Sequence, residues 1–182
     1  MRRALFLLSL LVAVLGGCAR RTCDDEAGDA PVDPVLMSFI GSARAAHHLA
    51  DGREEQGDVP GAEAALVSLL DGPLPPKRDA AEVREVLADT RARLADLKSR
   101  RGDFDSALAD IDRGLGLVPE ASYFRGHLYE TRGLVEERRT KALAASGDQA
   151  GAGKARERAL TAFEEAMRIQ QGVIKGAKPG SK

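Results

Sequence analysis

The chain has 182 residues, with 27 Lys and Arg side chains against 28 Asp and Glu side chains and a formal net charge of −1. This balance excludes a protein that binds nucleic acid through bulk positive charge, and the length is that of one domain with a hydrophobic core. With no Trp, two Tyr, five Phe and two Cys, the chain lacks the aromatics of a base-stacking platform and the cysteines of a disulfide-rich scaffold or a four-cysteine zinc site.

The first residues have the pattern of a secretory signal. Arg2 and Arg3 precede an apolar stretch over residues 4–15. At about 1.5 Å per residue, a helix of this length would be shorter than the roughly 30 Å of a hydrocarbon core. The stretch therefore predicts a cleaved signal over residues 1–17 and not a membrane span.

The signal ends in Leu15-Gly16-Gly17-Cys18, which resembles the lipobox of bacterial lipoproteins. The resemblance implies that the Cys18 thiol receives a diacylglyceryl group, that the chain is cut before Cys18, and that the lipid holds the protein on a membrane. Ala19 stands where an Asp would imply retention at the inner membrane, which favours the periplasmic face of the outer membrane. An ordinary secretory signal followed by an unrelated cysteine is the alternative.

The segment after the lipobox contains almost no apolar side chains. Residues 18–33 therefore predict a flexible tether between the lipid and the folded domain. Cys23 lies in this segment, and in an oxidising compartment its thiol would stay free or pair with another chain.

An internal repeat organises the rest of the chain. A Gly-Asp pair recurs every 45 residues, at Gly57-Asp58, Gly102-Asp103 and Gly147-Asp148, and each pair separates two stretches with helical periodicity. Because Gly tolerates the left-handed conformation that ends a helix and Asp caps the next one, each pair predicts the turn of a helical hairpin. No stretch alternates polar and apolar residues for long enough to predict a strand.

The middle unit, in which Gly102-Asp103-Phe104 is followed by Ala107, Ile111 and Pro119, resembles the tetratricopeptide repeat, a helical hairpin of about 34 residues. The resemblance covers about residues 43–171. It implies an all-α fold, a short right-handed α-solenoid of about three hairpins and six helices. A generic bundle of Ala-rich helical hairpins is the alternative.

The resemblance also implies which residues pack the hairpins or end their helices. They are mostly small or apolar and lie at helical spacing: Leu49, Ala62, Leu94, Gly102, Ala107, Ile111, Pro119, Leu128, Ala159, Phe163 and Ala166. The middle unit departs from the family at Lys98, where an aromatic is usual, and at Gly114, where Ala is usual.

Periodicity and helix-breaking residues predict helices over residues 34–56, 59–71, 80–101, 104–117, 120–146 and 153–171. Pro60 falls in a first helical turn, where a missing N–H is harmless. The third helix begins with capping-box spacing, with Asp79 as the cap and Glu82 three residues later. Residues 34–171 would be the folded domain, and residues 172–182 a disordered basic tail.

In the tetratricopeptide family the first helix of each hairpin lines a concave groove, and the resemblance carries those positions onto this chain. Six acids and two arginines are among them, so we expect an acidic groove that favours a basic or amine-bearing peptide. Charged helix faces that simply contact solvent are the alternative. The positions are Arg44, His47, Asp51, Glu54, Glu55, Asp89, Ala92, Asp96, Ser99, Arg100, Tyr123, Gly126, Glu130, Gly133 and Leu134.

Few residues have the spacing of a catalytic or metal site. His47 and Asp51 are four residues apart and offer two metal ligands without a third, and His48 points about 100° away on a helix. Residues 147–155 resemble a phosphate loop, but Asp148 and Ala155 stand where Gly and Ser or Thr are required, so we expect a loop between helices. We predict no metal, no cofactor and no enzymatic activity.

These features predict a membrane-anchored lipoprotein that acts as a non-catalytic adaptor for another envelope protein or peptide. It would contact the membrane through its lipid and bind no nucleic acid. Self-association through the exposed ends of a short solenoid, which would give a homo-oligomer, is the main alternative. A ligand carrier or an enzyme accessory would instead need a pocket with converging polar groups.

Overall fold

The computed structural model describes residues 33–176, and every regular element in that span is an α-helix. The predicted all-α fold of six helices is therefore confirmed. The expected signal and lipid site at residues 1–18 lie outside the described residues, as does nearly all of the expected tether. The helices are α1 (Pro34–Glu55), α2 (Val59–Leu70), α3 (Ala81–Arg100), α4 (Phe104–Leu117), α5 (Tyr123–Ala145) and α6 (Gln149–Gly176).

The Gly-Asp pairs form three equivalent turns, which join α1 to α2, α3 to α4 and α5 to α6. Each glycine has positive φ, at 76°, 86° and 89° for Gly57, Gly102 and Gly147. In each turn the Asp backbone N–H donates to the carbonyl five residues earlier, with N···O distances of 2.8, 3.0 and 3.0 Å. This hydrogen bond closes the end of a helix in the Schellman arrangement, which needs a residue in the left-handed conformation.

The helix starts depend on local capping. The side chains of Asp58 and Asp148 accept hydrogen bonds from the backbone N–H three residues later, at 3.0 and 2.8 Å. The side chain of Asp103 makes no such bond. The predicted cap of α3 is wrong, because the N-cap residue is Ala80 and no side chain caps this helix. Asp79 lies one residue too early in the chain to take that role.

The last two helices have different bounds from those predicted. Ser122 caps α5, which therefore starts at Tyr123 and not at residue 120. Capping by Asp148 starts α6 at Gln149, so most of the segment expected to be a loop at 147–155 is helical. The helix continues to Gly176, which makes the first five residues of the expected disordered tail helical as well.

The three hairpins stack in chain order, and the packing is that of a short solenoid-like bundle. Helix α3 packs on the first hairpin through one cluster with Val83 and Leu87 and a second with Leu94 and Leu97. Helix α5 packs on the second hairpin through Leu128 and other residues of a third cluster. Each hairpin after the first therefore buries its leading helix against the hairpin before it.

Most of the expected packing residues are buried. Leu49 differs, because it is exposed on α1, the first helix that the structure describes. Phe163 is partly buried, Gly102 forms a turn, and Pro119 follows the end of α4. The buried ones are Ala62, Leu94, Ala107, Ile111, Leu128, Ala159 and Ala166.

Both departures from the family pattern have a structural cause. The Lys98 ammonium lies 2.6 Å from a carboxylate oxygen of the fully buried Asp110 and partly neutralises it between α3 and α4. Gly114 leaves space for Leu128 of α5, because a Cβ on Gly114 would lie 2.7 Å from a methyl carbon of that side chain. These positions therefore help to pack α3, α4 and α5 together.

Candidate interaction groove

Helices α1, α3 and α5 together line a groove with a cavity of about 350 Å³. Each of the three helices contributes side chains to it. Five of the residues expected in the groove line this cavity, and Arg93, His127 and Thr131 complete the lining. The five are His47, Asp89, Ala92, Asp96 and Leu134.

An ion-pair network crosses one side of the groove. The Arg93 guanidinium donates to Asp51 at 2.9 Å and to Glu54 at 2.6 Å, which ties α3 to α1. Arg100 contacts Glu54 as well and lies 2.7 Å from Asp96. Charged groups in such a network hold one another's side chains in place more firmly than an isolated surface pair does.

The network extends to α5 through Arg138. This guanidinium lies 2.9 Å from Asp96 and donates to the Ser99 hydroxyl at 2.6 Å. Ser99, expected to line the groove, is buried beneath this contact. All three helices are therefore joined by one continuous set of charged side chains.

The network changes the expected charge of the groove. Three of the six acids expected there, Asp51, Glu54 and Asp96, are matched by three guanidinium groups. Arg93 and Arg138 were not among the residues expected from the sequence. Arg93 precedes Asp96 by three residues on α3, so helical spacing could have revealed it. The contact of Arg138 depends on how α5 packs against α3.

The remaining negative charge lies around His127. The His127 ring nitrogens lie 3.9 Å from Asp89 and 3.6 Å from Glu130, and the two carboxylates are well exposed. The Tyr123 ring stacks on the imidazole with 6.1 Å between ring centroids and 5° between planes. Because neither carboxylate has a Lys or Arg partner among the ion pairs of the described residues, this edge keeps unmatched acidic groups.

Two positions expected in the groove on α5 face another helix. Gly126 and Gly133 are buried against α6, where added Cβ atoms would lie 2.8 Å from Gln170 and 2.5 Å from Phe163. The positions predicted for the groove on this helix are therefore about one residue out of register with those that line it. The groove on α5 is formed by His127, Thr131, Leu134 and Arg138.

The imidazole of His47 lies in the groove and takes part in an interhelical hydrogen bond. Its Nε2 atom is 3.0 Å from the hydroxyl of the buried Thr90, which links α1 to α3. Arg44 and Glu55, both expected in the groove, are exposed on α1. No group of three or more His, Cys, Asp or Glu side chains within residues 33–176 is placed to hold a metal ion.

The groove offers a partner carboxylates, imidazoles and an aromatic ring on a scaffold held by ion pairs. Such groups bind peptides by hydrogen bonds and charge, with the unmatched carboxylates favouring a cationic group. None of the six helices is long and apolar enough to span a membrane. The chain matches no protein-family model, and no curated protein or solved structure is significantly similar to it.

Proposed function

We propose that this protein is a lipid-anchored adaptor of the bacterial cell envelope that binds another protein through the groove and catalyses no reaction. The lipid would be attached at Cys18, and the protein would lie at the periplasmic face of the outer membrane. The groove would hold a segment of an envelope protein that carries a basic or amine-bearing group.

The observation that carries the groove proposal is the unmatched acidic edge around His127. Asp89 and Glu130 come from different helices, α3 and α5, and converge on the same imidazole. Nearby carboxylates are matched by arginines, so this edge is where a cationic partner gains most from binding. A solvated face without a binding role needs no such convergence.

Anchoring is supported by the lipobox resemblance at residues 15–18, which directly follows the apolar stretch of the predicted signal. The test is metabolic labelling with a radioactive fatty acid in cells that express the protein or its Cys18→Ser variant. We expect label in the protein and none in the variant, together with loss of the variant from the outer-membrane fraction. Equal fractionation of both proteins would overturn the anchoring proposal.

Partner binding is tested by crosslinking in cells, followed by isolation of the protein. We expect one envelope partner at near-stoichiometric yield, and we expect Asp89→Lys with Glu130→Lys to reduce its recovery at least tenfold. These changes spare Asp51, Glu54 and Asp96, whose ion pairs support the fold.

The matched control for each single groove substitution is Glu120→Lys, which makes the same change of charge in the exposed loop between α4 and α5. It should leave recovery of the partner unchanged. If the groove variant and the control recover the partner equally well, the groove is not the binding site.

A further inference from the structure

The exposed large apolar side chains are confined to the two end hairpins. Within residues 33–176, Val35, Met37 and Leu49 are exposed on α1, and Leu160, Met167 and Ile174 are exposed on α6. The middle hairpin, α3 and α4, has no exposed side chain of this kind. Solenoid proteins need polar faces on their terminal repeats to stay soluble as single molecules. Both end hairpins of this protein instead expose large apolar side chains.

The end face of the first hairpin is a cleft of about 500 Å³ between α1 and α2. Ser38, Ser42, Ala45 and Leu49 line it from α1. The 45-residue repeat relates these four residues to Val83, Leu87, Thr90 and Leu94, all of which are buried on α3. Leu49 keeps the residue type of its equivalent Leu94, whereas Ser38 and Ser42 stand where α3 has Val83 and Leu87. Residues 33–176 offer no hairpin to cover this face of α1.

The last hairpin exposes one residue equivalent to those that pack on a following hairpin. Leu70 on α2 packs against the two clusters to which α3 contributes. Leu115 on α4 packs against the cluster to which α5 contributes. One repeat later, Leu160 is 57% exposed on α6. Met167 and Ile174 follow it at seven-residue intervals and form an apolar stripe along that helix.

The two end hairpins carry opposite charge. Residues 33–71 contain seven acids and two arginines, a net charge of −5 with neutral histidines. Residues 122–176 contain ten basic and seven acidic side chains, a net charge of +3. Opposite charge on two surfaces that meet accelerates their association, and like charge on two identical ends opposes it. The charges therefore favour contact between a first and a last hairpin.

We propose that copies of this chain associate head to tail, with α1 of one copy packed against the exposed apolar stripe of α6 in the next. The contact continues the solenoid across molecules and buries Leu49 and Leu160 in the same interface. Because the two surfaces differ, the association is heterologous and produces a ring or an open chain of copies. It uses surfaces outside the groove and does not depend on the adaptor proposal.

The internal packing gives the register of this contact. In each hairpin the second helix runs opposite to the first, as the contacts of Gly126 with Gln170 and of Gly133 with Phe163 show for α5 and α6. Helix α1 of the next copy would run alongside α5 and therefore opposite to α6. Leu49 corresponds to Leu94, which packs with Ala62 and Leu66 of α2. The equivalents of those two residues on α6 are Ala152 and Arg156, so Leu49 would lie at the start of α6, about one turn before Leu160. Val35, near the start of α1, would lie farther along the stripe.

The test uses the protein as the cell processes it, purified in mild detergent and studied by sedimentation over a range of concentrations. Leu49→Glu disrupts the end face of the first hairpin, called the head, and Leu160→Glu disrupts that of the last hairpin, called the tail. Both side chains are exposed, so neither substitution places a charge in the core. We expect assemblies for the unmodified protein and monomers for each variant alone. An equimolar mixture of the two variants should give dimers and nothing larger. The intact tail of the Leu49→Glu chain can bind the intact head of the Leu160→Glu chain, and no second pair of intact faces remains.

Each other outcome overturns the proposal. A monomeric unmodified protein at high concentration would exclude self-association. Dimers of Leu49→Glu alone would show that α6 pairs with α6 in a symmetric contact, and dimers of Leu160→Glu alone would show that the first hairpin pairs with itself. Monomers in the mixture would show that the two faces do not bind each other. Recovery of the groove partner tests the adaptor proposal separately, because neither Asp89 nor Glu130 is substituted in these variants.

A second measurement identifies the residues that meet. In a background of Cys23→Ser, a tagged Leu49→Cys chain is mixed with an untagged Leu160→Cys chain and oxidised. We expect a disulfide between the two kinds of chain at severalfold higher yield than between identical chains. The control is Ser146→Cys, an exposed position in the turn after α5, which should crosslink poorly with either.

Discussion

Leu49 and Leu94 occupy equivalent positions of the 45-residue repeat, yet Leu94 is 1% exposed and Leu49 is 54% exposed. Leu94 packs in a cluster with Ala50, Ala62 and Leu66 of the first hairpin. Leu49 faces the open cleft at the end of the bundle. The same residue type therefore has two different environments because one of them is covered by a preceding hairpin.

This difference predicts unequal effects of the same substitution. Leu94→Ala removes a buried side chain and leaves a cavity, which should lower the free energy of unfolding by about 3 kcal/mol. Leu49→Ala should lower it by less than about 1 kcal/mol, since the side chain is already exposed. Urea unfolding at a concentration where the protein is monomeric measures both. Equal losses would contradict the packing described for α3.

Loss of the buried carboxylate of Asp110 should lower stability more than loss of an exposed carboxylate on the same helix. The Asp110 carboxylate is fully buried on α4, with the Arg91 guanidinium and the Lys98 ammonium each 2.6 Å away. Asp110→Asn would leave two cations without their partner in a poorly solvated site and should destabilise the fold by roughly 3 kcal/mol.

The control for this substitution is Asp112→Asn, two residues later on the same helix. The Asp112 carboxylate is 67% exposed and pairs with Arg132 at the surface. A pair of this kind contributes less than about 1 kcal/mol, so this variant should unfold almost like the unmodified protein. If thermal unfolding finds the two variants equally stable, the buried ion pair contributes little to the fold.

Two glycines predict effects of opposite sign. A Cβ on Gly133 would lie 2.5 Å from the Phe163 ring, whereas a Cβ on Gly153 would meet nothing within 4 Å. Gly133→Ala should therefore cost roughly 1–3 kcal/mol by separating α5 from α6. Gly153→Ala should raise stability by about 0.5–1 kcal/mol, because Ala is the better helix former. Chemical denaturation of both variants checks the sign, and stabilisation by both would contradict the close contact at Gly133.

Helix capping predicts a fourth matched pair. The Asp148 side chain accepts a hydrogen bond from the Gly151 backbone N–H at 2.8 Å. The Asp103 side chain, at the equivalent turn, makes no capping hydrogen bond. Asp148→Ala should cost about 1 kcal/mol, and Asp103→Ala should cost clearly less. Hydrogen exchange of the amides at the start of α6 should accelerate in Asp148→Ala. Unchanged exchange there would show that the cap does not hold this helix.

Two surface glutamates predict a dependence on pH. A hydrogen bond from Lys141, reinforced by its charge, holds the pKa of Glu137 below the ordinary 4.5. A hydrogen bond from Arg168 does the same for the pKa of Glu165. Because both pKa values are lower in the folded state, their stabilisation is complete above pH 4.5 and is lost as the pH falls through the lowered values.

The double variant Glu137→Gln, Glu165→Gln should therefore lose less stability than the unmodified protein when acidified below pH 4.5. Unfolding curves recorded through that range measure the slope. Glu164→Gln is the control, because its carboxylate takes part in none of the described ion pairs. An unchanged slope in the double variant would show that neither pair contributes.

The sequence by itself determined the helices and their turns. Apolar periodicity marked each helix, and the Gly-Asp pairs marked the turns because only a residue that accepts positive φ completes this helix ending. Five of the six helix starts were predicted to within three residues. These features depend on residues close in the chain, which is why they could be found from the sequence.

Only the tertiary structure decided which surfaces are covered and which charges are matched. Arg93 on α3 forms an ion pair with Glu54 on α1, and Arg138 on α5 forms one with Asp96 on α3. Likewise, Leu49 and Leu94 differ only in whether another hairpin lies against them. Such contacts join residues about 40 or more positions apart and depend on how the hairpins stack, which the periodicity of each helix does not specify.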